Sequence, residues 1–177
     1  FGQRAVAMSR FTDILVAVNA LKFARKNLKK WMRPERRAVE FPLGLLGARA
    51  WVEYQPKGVV GVISPWNFPV NLTFGPLAGV FAAGNRAMIK PSEFTPETSQ
   101  LMKDLFQKAY DQDEVSVFTG GPDVGEAFSG LAFDHLIFTG ATSIARHVMR
   151  AASENLVPLA LELGGKSPVL VGKGANI

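Results

Sequence analysis

The segment from Gly58 to Pro69, GVVGVISPWNFP, limits the folds open to this chain more than any other stretch. Its first half is a short run of apolar residues, which is typical of a strand buried on both faces of a parallel sheet. Pro65 and Pro69 then interrupt the hydrogen-bond ladder and hold the chain in a turn. Because ligands in open α/β sheets bind beyond the carboxyl ends of the strands, Asn67 in this turn is a candidate ligand-binding amide.

From Gly58 onward, predicted strands and helices alternate along the chain. After the first strand, further strands are predicted at Arg86 to Ile89, Val115 to Phe118, His135 to Phe138 and Leu156 to Leu163, with a weaker sixth candidate at Pro168 to Val171. The intervening helices include Val70 to Ala83, a helix capped by Thr95 with Leu101, Leu105 and Ala109 on its inner face, and Ser143 to Ser153. This alternation predicts an α/β fold with a doubly wound, mostly parallel, Rossmann-like sheet.

Residues 1–57 have a different character and are predicted to form a separate N-terminal segment. Apolar residues spaced three and four apart from Phe11 to Trp31 predict an amphipathic helix. The run from Arg49 to Gln55 predicts a partly exposed β-ribbon, of a kind that often pairs with another subunit or domain. We therefore divide the chain into an N-terminal helix and β-ribbon at 1–57 and an α/β domain at 58–177, which we expect to be incomplete at its C-terminus.

The composition excludes several classes of protein. The 177 residues contain no cysteine, so they hold no disulfide, no cysteine-ligated metal and no cysteine nucleophile. No apolar run approaches the length of a membrane span, and no signal peptide opens the sequence. We expect a soluble, cytoplasmic protein without a membrane partner, and the start at Phe1 leads us to expect a fragment.

The positive charge is concentrated at one end. Residues 1–57 hold 12 Lys and Arg against 4 acids, whereas residues 58–177 hold 8 against 11. A basic helix over residues 22–37 leaves open a non-catalytic module that binds a nucleotide or RNA. A solvated helix face explains the same charges more simply, so we expect no nucleic-acid partner.

Glycines recur where predicted strands turn into helices, at Gly120, Gly121 and Gly140. Glycine lets backbone N–H groups approach a phosphate, and a helix N-terminus favours an anion. No GxGxxG fingerprint is present, so each turn alone is weak evidence for nucleotide binding. Several such turns at one edge of one sheet favour a ligand over simple turn chemistry.

Two acidic positions stand out. Glu93 follows the second strand together with Lys90, where doubly wound folds place groups that bind a ribose. A carboxylate there would repel a 2′-phosphate, which favours NAD over NADP; an ordinary ion pair is the alternative. Glu162 is flanked by leucines, and we expect it to be desolvated with a raised pKa, as a general base requires, unless Lys166 neutralises it.

His135 and His147 have no serine or carboxylate near them in the sequence at a spacing that would indicate a catalytic triad or a metal site.

The motifs ISPWNFP, IKPSE, FTGATS and LELGGKSP, in this order and spacing, resemble the aldehyde dehydrogenase superfamily over essentially the whole chain. The run from Lys57 to Val171 is most similar to its class 3 branch and to coniferyl aldehyde dehydrogenases. The resemblance implies an NAD(P)-dependent oxidation of an aldehyde to its acid through a cysteine thioester. It also implies a small aldehyde as substrate and a homodimer or higher oligomer for the parent enzyme.

The resemblance further implies individual roles. Glu162 matches the general base, and Asn67 matches the amide that stabilises the developing oxyanion. Cofactor contacts are implied along the whole sheet edge, at Ser64, Trp66, Lys90, Glu93, Gly121, Gly125, Phe138, Gly140, Ala141, Ile144, Leu163 and Gly164.

Two departures from the family pattern are visible. Ala141 and Ala145 stand where serine and glycine are more common, so one hydroxyl contact to a pyrophosphate is missing. The family's nucleophilic cysteine lies beyond LELGG, and these 177 residues contain none, so we expect this segment alone to be inactive. A cysteine-dependent acyl phosphate reductase is the rival within enzymes, but LELGGKSP and PWNFP favour the aldehyde branch.

Overall fold

A computed structural model describes residues 4–176. Its centre is a five-stranded parallel sheet with helices on both faces, which confirms the predicted α/β class. The strands are β3 (Val59–Ile63), β4 (Arg86–Lys90), β5 (Val115–Val117), β6 (His135–Gly140) and β7 (Leu159–Leu163), in the order β5-β4-β3-β6-β7. The helices that follow them are α3 (Asn71–Ala82), α4 (Pro96–Ala109), α5 (Pro122–Ser129) and α6 (Thr142–Ser153).

Each face of the sheet has its own apolar core. On one face, Leu77 of α3 and Phe106 of α4 pack on Val62 and Ile89, all nearly excluded from solvent. On the other face, α5 and α6 cover β6 and β7, with Leu136 and Ala152 fully buried. The strand order places β3 at the centre: the chain moves outward through β4 and β5, then returns to the other side of β3 as β6. The gap between β3 and β6 is therefore the topological switch point of the sheet.

The predicted N-terminal helix is present, but the residues that it buries are not the large apolar residues that predicted it. It comprises α1 (Val6–Met8), a π-helical stretch (Ser9–Leu15) and α2 (Val16–Trp31). The small residues Ala17 and Ala24 are buried, and α2 packs on α3. Phe11 is 68% exposed, and Ile14 is also exposed. Small side chains allow the two helix axes to approach closely, and larger apolar residues such as Phe11 and Ile14 stay exposed.

The inner face predicted for α4 is wrong. Leu101 and Leu105 are 57% and 50% exposed, whereas Met102 and Phe106 are buried. Both pairs have the same four-residue spacing, and the aromatic stacking of Phe106 on Phe74 of α3 fixes which pair faces the core. Thr95 does occupy the N-cap position, but its buried hydroxyl makes no hydrogen bond among residues 4–176, so the predicted side-chain cap is also wrong.

Two further expectations concern strands outside the centre of the sheet. The predicted ribbon is present as an antiparallel pair, β1 (Glu35–Arg37) with β2 (Ala50–Val52). The sixth strand expected at Pro168 to Val171 is wrong, because residues 164–176 contain no strand and Leu170 is 96% exposed. A four-residue apolar run needs a partner edge, and none of the described strands pairs with it.

No helix in residues 4–176 has the length and apolar character needed to cross a membrane.

Candidate functional site

The turns that carry the predicted site residues lie at one edge of the sheet. All five strands are parallel, so their carboxyl ends share that edge. In register, Ile63 at the end of β3 lies beside Lys90 of β4 and beside Phe138 of β6. The candidate site is thus a row of five strand ends, with the switch point between β3 and β6 near its middle.

The turn after β3 is anchored at its two ends by hydrogen bonds, and its central residues are exposed. Ser64 is buried; its N–H donates to the carbonyl of Lys90, and its Oγ lies 2.7 Å from Thr73 Oγ1 of α3. Thr73 Oγ1 also lies 2.6 Å from the carbonyl oxygen of Pro69. Between these anchors, Trp66 is 58% exposed and Asn67 is exposed. Both central side chains are therefore open to solvent, while Ser64 joins the turn to α3.

An ion pair lies at the end of β4. Lys90 is buried, and its Nζ donates to Glu93 Oε2 at 2.8 Å and to the carbonyl of Pro91 at 3.2 Å. Partial burial of Glu93 acts to raise the pKa of its carboxyl, but the hydrogen bond and positive charge of Lys90 outweigh it, so the pKa is lower than usual. Glu93 is therefore an ionised acceptor at neutral pH.

A cavity of about 460 Å³ lies between the turns that follow β4 and β5. It is lined by Ser92, Glu93, Thr119, Gly120 and Gly121, among others. Gly120 has φ +152°, and a Cβ there would lie 2.4 Å from Val124 Cγ2, so only glycine fits without rearrangement. Gly121 is the N-cap residue of α5, and Gly125, one turn later, faces the aliphatic part of Lys90. The cavity thus joins a carboxylate to a glycine turn at a helix N-terminus.

The end of β6 has a tight contact beneath its turn. Phe138 is buried in the core, and a Cβ on Gly140 would lie 2.8 Å from Phe138 Cζ. Ala141 is the N-cap of α6 and provides no side-chain cap, and the first turn of α6 carries no acid. Ile144 on that turn is 52% exposed. The start of α6 therefore lies at the carboxyl end of β6, next to the switch point, and Phe138 packs against the turn between them.

The expectation that Glu162 is desolvated is wrong for the described residues. Glu162 is exposed on β7, and the next residues, Leu163 and Gly164, are partly buried and exposed respectively. Alternation along the strands puts Glu162, Ala160 and their β6 neighbours Thr139 and Ile137 on the sheet face that α3 and α4 cover at β3 to β5. No described helix covers that face at β7, so the carboxylate is open to solvent or to whatever packs there.

Asn67 and Glu162 lie on the same edge of the sheet. Ile63, Phe138 and Leu161 are register neighbours across β3, β6 and β7, and Glu162 is one residue beyond that level. Two strand spacings separate β3 from β7, which is roughly 10 Å between strand axes. The two residues therefore lie on either side of the end of β6, and both are exposed.

Arg4 and Asp13 lie next to this site but are not among the residues predicted for it. Asp13 is fully buried, is paired with Arg4 at 2.7 Å, and accepts hydrogen bonds from the backbone at the start of α3. Asp13 is the only acid in residues 1–34, on an otherwise basic helix. That isolation was a usable signal, because a lone carboxylate among apolar residues usually has a specific partner.

Other polar features lie away from this edge. His135 is at the amino end of β6, where burial and then the charge of Lys57 lower its pKa. A second cavity, about 770 Å³, lies at the ribbon beside Arg36, Arg49 and Trp51, and it contains none of the predicted site residues. Residues 4–176 hold no cluster of His, Cys, Asp and Glu suited to a metal ion.

Comparison with known proteins identifies the family. The sequence model described as "Aldehyde dehydrogenase family" matches residues 3–177. The chain belongs to this family. It is 66% identical over its full length to a probable coniferyl aldehyde dehydrogenase of Caulobacter vibrioides, and 55% identical to a coniferyl aldehyde dehydrogenase of a Pseudomonas species. The chain spans 37% and 36% of the length of those two proteins.

Solved aldehyde dehydrogenase structures share the fold of this segment. A substrate-bound state of Staphylococcus aureus AldH superposes with a TM-score of 0.86 at 41% identity, covering 95% of this chain and 36% of that one. A Mycobacterium tuberculosis aldehyde dehydrogenase in complex with NAD⁺ superposes with a TM-score of 0.79 at 29% identity, covering 91% of this chain and 32% of that one. The segment therefore has the architecture of an aldehyde dehydrogenase over nearly its whole length.

Proposed function

We propose that this segment carries the cofactor-binding sheet, the oxyanion amide and the general base of an NAD-dependent aldehyde dehydrogenase. In this proposal, residues 1–57 are an N-terminal helix and oligomerisation ribbon, and residues 58–177 are the dinucleotide-binding domain. The observation that carries it is the placement of Asn67 and Glu162 on one sheet edge, flanking the switch point. Membership of the aldehyde dehydrogenase family supports aldehyde oxidation as the reaction at that edge.

The residues at the edge fit a dinucleotide. The glycine turn at Gly120 and Gly121 lets the backbone come close to a ligand, and the cavity that it lines has an ionised carboxylate, Glu93, able to accept from ribose hydroxyls. The uncapped start of α6 offers backbone N–H groups to a pyrophosphate, with Ala141 and Ile144 beside them. A nicotinamide cofactor held by these residues would supply the hydride acceptor for oxidation of the aldehyde.

Glu93 also bears on which nicotinamide cofactor is used. Its carboxylate would repel a 2′-phosphate, which supports NAD as the cofactor, with NADP bound more weakly. The NAD complexes of related enzymes, such as the M. tuberculosis protein, agree with this choice.

Asn67 and Glu162 have separate tasks in the proposed reaction. The exposed amide of Asn67 donates a hydrogen bond to the aldehyde oxygen as negative charge develops on it. Glu162 removes a proton from the water that hydrolyses the thioester, which requires a carboxylate in the open region where it lies. The thiol that forms the thioester must come from outside these 177 residues, since they contain no cysteine.

The substrate class and the assembly follow from the relatives. Identity of 66% and 55% to coniferyl aldehyde dehydrogenases supports an aromatic aldehyde of the coniferyl type as substrate. The exposed ribbon of β1 and β2 supports an oligomer in which this ribbon meets another subunit or domain.

The direct test is cofactor reduction by the full-length protein. We expect coniferyl aldehyde to support NADH formation with NAD, and to support it less well with NADP. The variant Asn67→Ala should lower kcat/KM for the aldehyde by about 100-fold or more, as loss of one oxyanion donor does in other enzymes. Lys108→Ala, which changes an exposed lysine on α4, is a matched surface control. Wild-type-like kcat/KM in Asn67→Ala would refute the role given to the amide.

A further inference from the structure

Asp13 is a buried carboxylate that the proposed chemistry does not use. Its side chain is 1% exposed, and its Oδ2 lies 2.7 Å from Nη1 of Arg4. Its Oδ1 accepts hydrogen bonds from the backbone N–H groups of Val70 at 3.1 Å and Asn71 at 2.9 Å. A helix 57 residues upstream therefore supplies the acceptor that caps the start of α3.

This contact replaces a cap that the local sequence does not provide. Val70 is the N-cap residue of α3, has no polar side chain and makes no side-chain cap bond, and the first turn of α3 has no acid. A negative charge at this end is favourable because the first backbone N–H groups of a helix lack partners within it. Asp13 lies in the π-helical stretch Ser9–Leu15. Such stretches are rare in proteins, and those that occur are often found at functional sites. The pair thus fixes the point where the turn enters α3.

Arg4 extends the same contact to the middle of the turn. Its Nη1 also donates to the carbonyl oxygen of Asn67 at 3.0 Å, and its guanidinium lies 4.7 Å from the centre of the Phe68 ring. A single ion pair therefore contacts the backbone of Asn67 directly and the residues on its C-terminal side. Ser64 and Pro69 are held separately, through Thr73.

The side chain of Asn67 has no such support. It is exposed and makes no hydrogen bond to residues 4–176, so its direction follows from the backbone that bears it. Pro65 and Pro69 restrict the two ends of the turn but not Asn67 itself. The hydrogen bond from Arg4 to the Asn67 carbonyl is the contact that fixes the backbone at that residue.

We infer that Arg4 and Asp13 are positioning residues that hold the Asn67 backbone, so that its amide points at the substrate oxygen. This inference rests on the proposed function, because it needs Asn67 to be the oxyanion donor. Neither residue touches the reacting atoms. Their effect is indirect, since a displacement of about 1 Å at a catalytic group can lower a rate by up to about 100-fold.

A double-mutant cycle in the full-length enzyme separates positioning from simple stabilisation. The variants are Arg4→Ala, Asn67→Ala and the double variant, with kcat/KM for the aldehyde, KM for NAD and the thermal midpoint measured for each. Arg10→Ala, which removes an exposed arginine from the π-helical stretch that contains Asp13, is the matched control. We expect Arg4→Ala to lower kcat/KM by about tenfold to 100-fold with KM for NAD unchanged. In the Asn67→Ala background, the same substitution should change kcat/KM by no more than about twofold.

Each outcome decides the inference. An equal loss from Arg4→Ala in both backgrounds would show that the pair acts without Asn67 and overturn it. A loss in Asn67→Ala with no loss in Arg4→Ala would overturn it while leaving the proposed function intact. No loss in Asn67→Ala would refute the amide role itself, and the inference with it. If Arg4→Ala fails to fold, Asp13→Asn, which keeps an acceptor for α3 but removes the charge that holds Arg4, should give the same non-additive pattern.

Discussion

Lys90 Nζ and Glu93 Oε2 lie 2.8 Å apart at the end of β4, with the ammonium buried and the carboxylate facing the cavity beside Gly120 and Gly121. The pair turns one oxygen of Glu93 toward the lysine and leaves the rest of the carboxylate available to a ligand. Glu93 is therefore an acceptor whose orientation is set before a ligand binds, because the hydrogen bond from the buried Lys90 holds it in place.

The first prediction concerns that pair and pH. The folded pKa of Glu93 is lower than its unfolded value, so the pair stabilises the protein above the unfolded pKa, and the stabilisation is lost as the pH falls through the folded value. Thermal midpoints of the full-length protein and of Glu93→Gln should therefore differ at neutral pH, and should converge as the pH falls from the unfolded pKa of about 4.3 through the lower folded pKa. A difference that stays constant across the acidic range would contradict the ion pair as its cause.

The second prediction concerns Glu162 as general base. In the full-length enzyme, Glu162→Gln should slow thioester hydrolysis by about 100-fold or more while leaving hydride transfer much less affected. Stopped-flow measurement should then show a normal first burst of NADH followed by a slow steady state. Glu154→Gln, an exposed acid at the end of α6, is the matched control. A normal steady-state rate after a normal burst would rule out this role.

The third prediction concerns the segment alone. Purified residues 1–177 should form no NADH from an aldehyde and NAD, even when circular dichroism shows a folded protein, because no cysteine is present to form the thioester. The full-length protein assayed in parallel is the positive control. Aldehyde-dependent turnover by the pure segment would refute the thioester route as proposed.

The sequence was sufficient to predict the sheet and the edge on which the candidate site residues lie. Apolar runs such as Val59 to Ile63 identify buried strands whatever packs on them, and alternation with helices makes those strands parallel. Once the strands are parallel, the turn at Asn67 and the turn at Gly120 must lie on one edge. These inferences depend only on local pattern and on general rules of connection.

What could not be predicted depends on contacts between distant parts of the chain. The pairs Leu101 with Leu105 and Met102 with Phe106 have equal spacing on α4, and only the position of Phe74 on α3 selects the second pair. The exposure of Glu162 depends on which element covers β7, and its flanking leucines do not contain that information. The role of Asp13 depends on a partner 57 residues away.

The last prediction concerns Gly120 and the cavity between β4 and β5. Gly120→Ala must place a Cβ where φ is +152° and where Val124 Cγ2 lies 2.4 Å away, so the turn has to move. We expect this variant to lose about 1 to 3 kcal/mol of stability and to bind NAD more weakly, measured by calorimetry on the full-length protein. Gly79→Ala, in an exposed part of α3 with no atom within 4 Å, should instead leave NAD affinity unchanged and stabilise the helix slightly. Both variants add the same methyl group, but only Gly120→Ala adds it beside the proposed ribose site. Equal NAD affinity in the two variants would therefore show that the Gly120 turn does not contribute to cofactor binding.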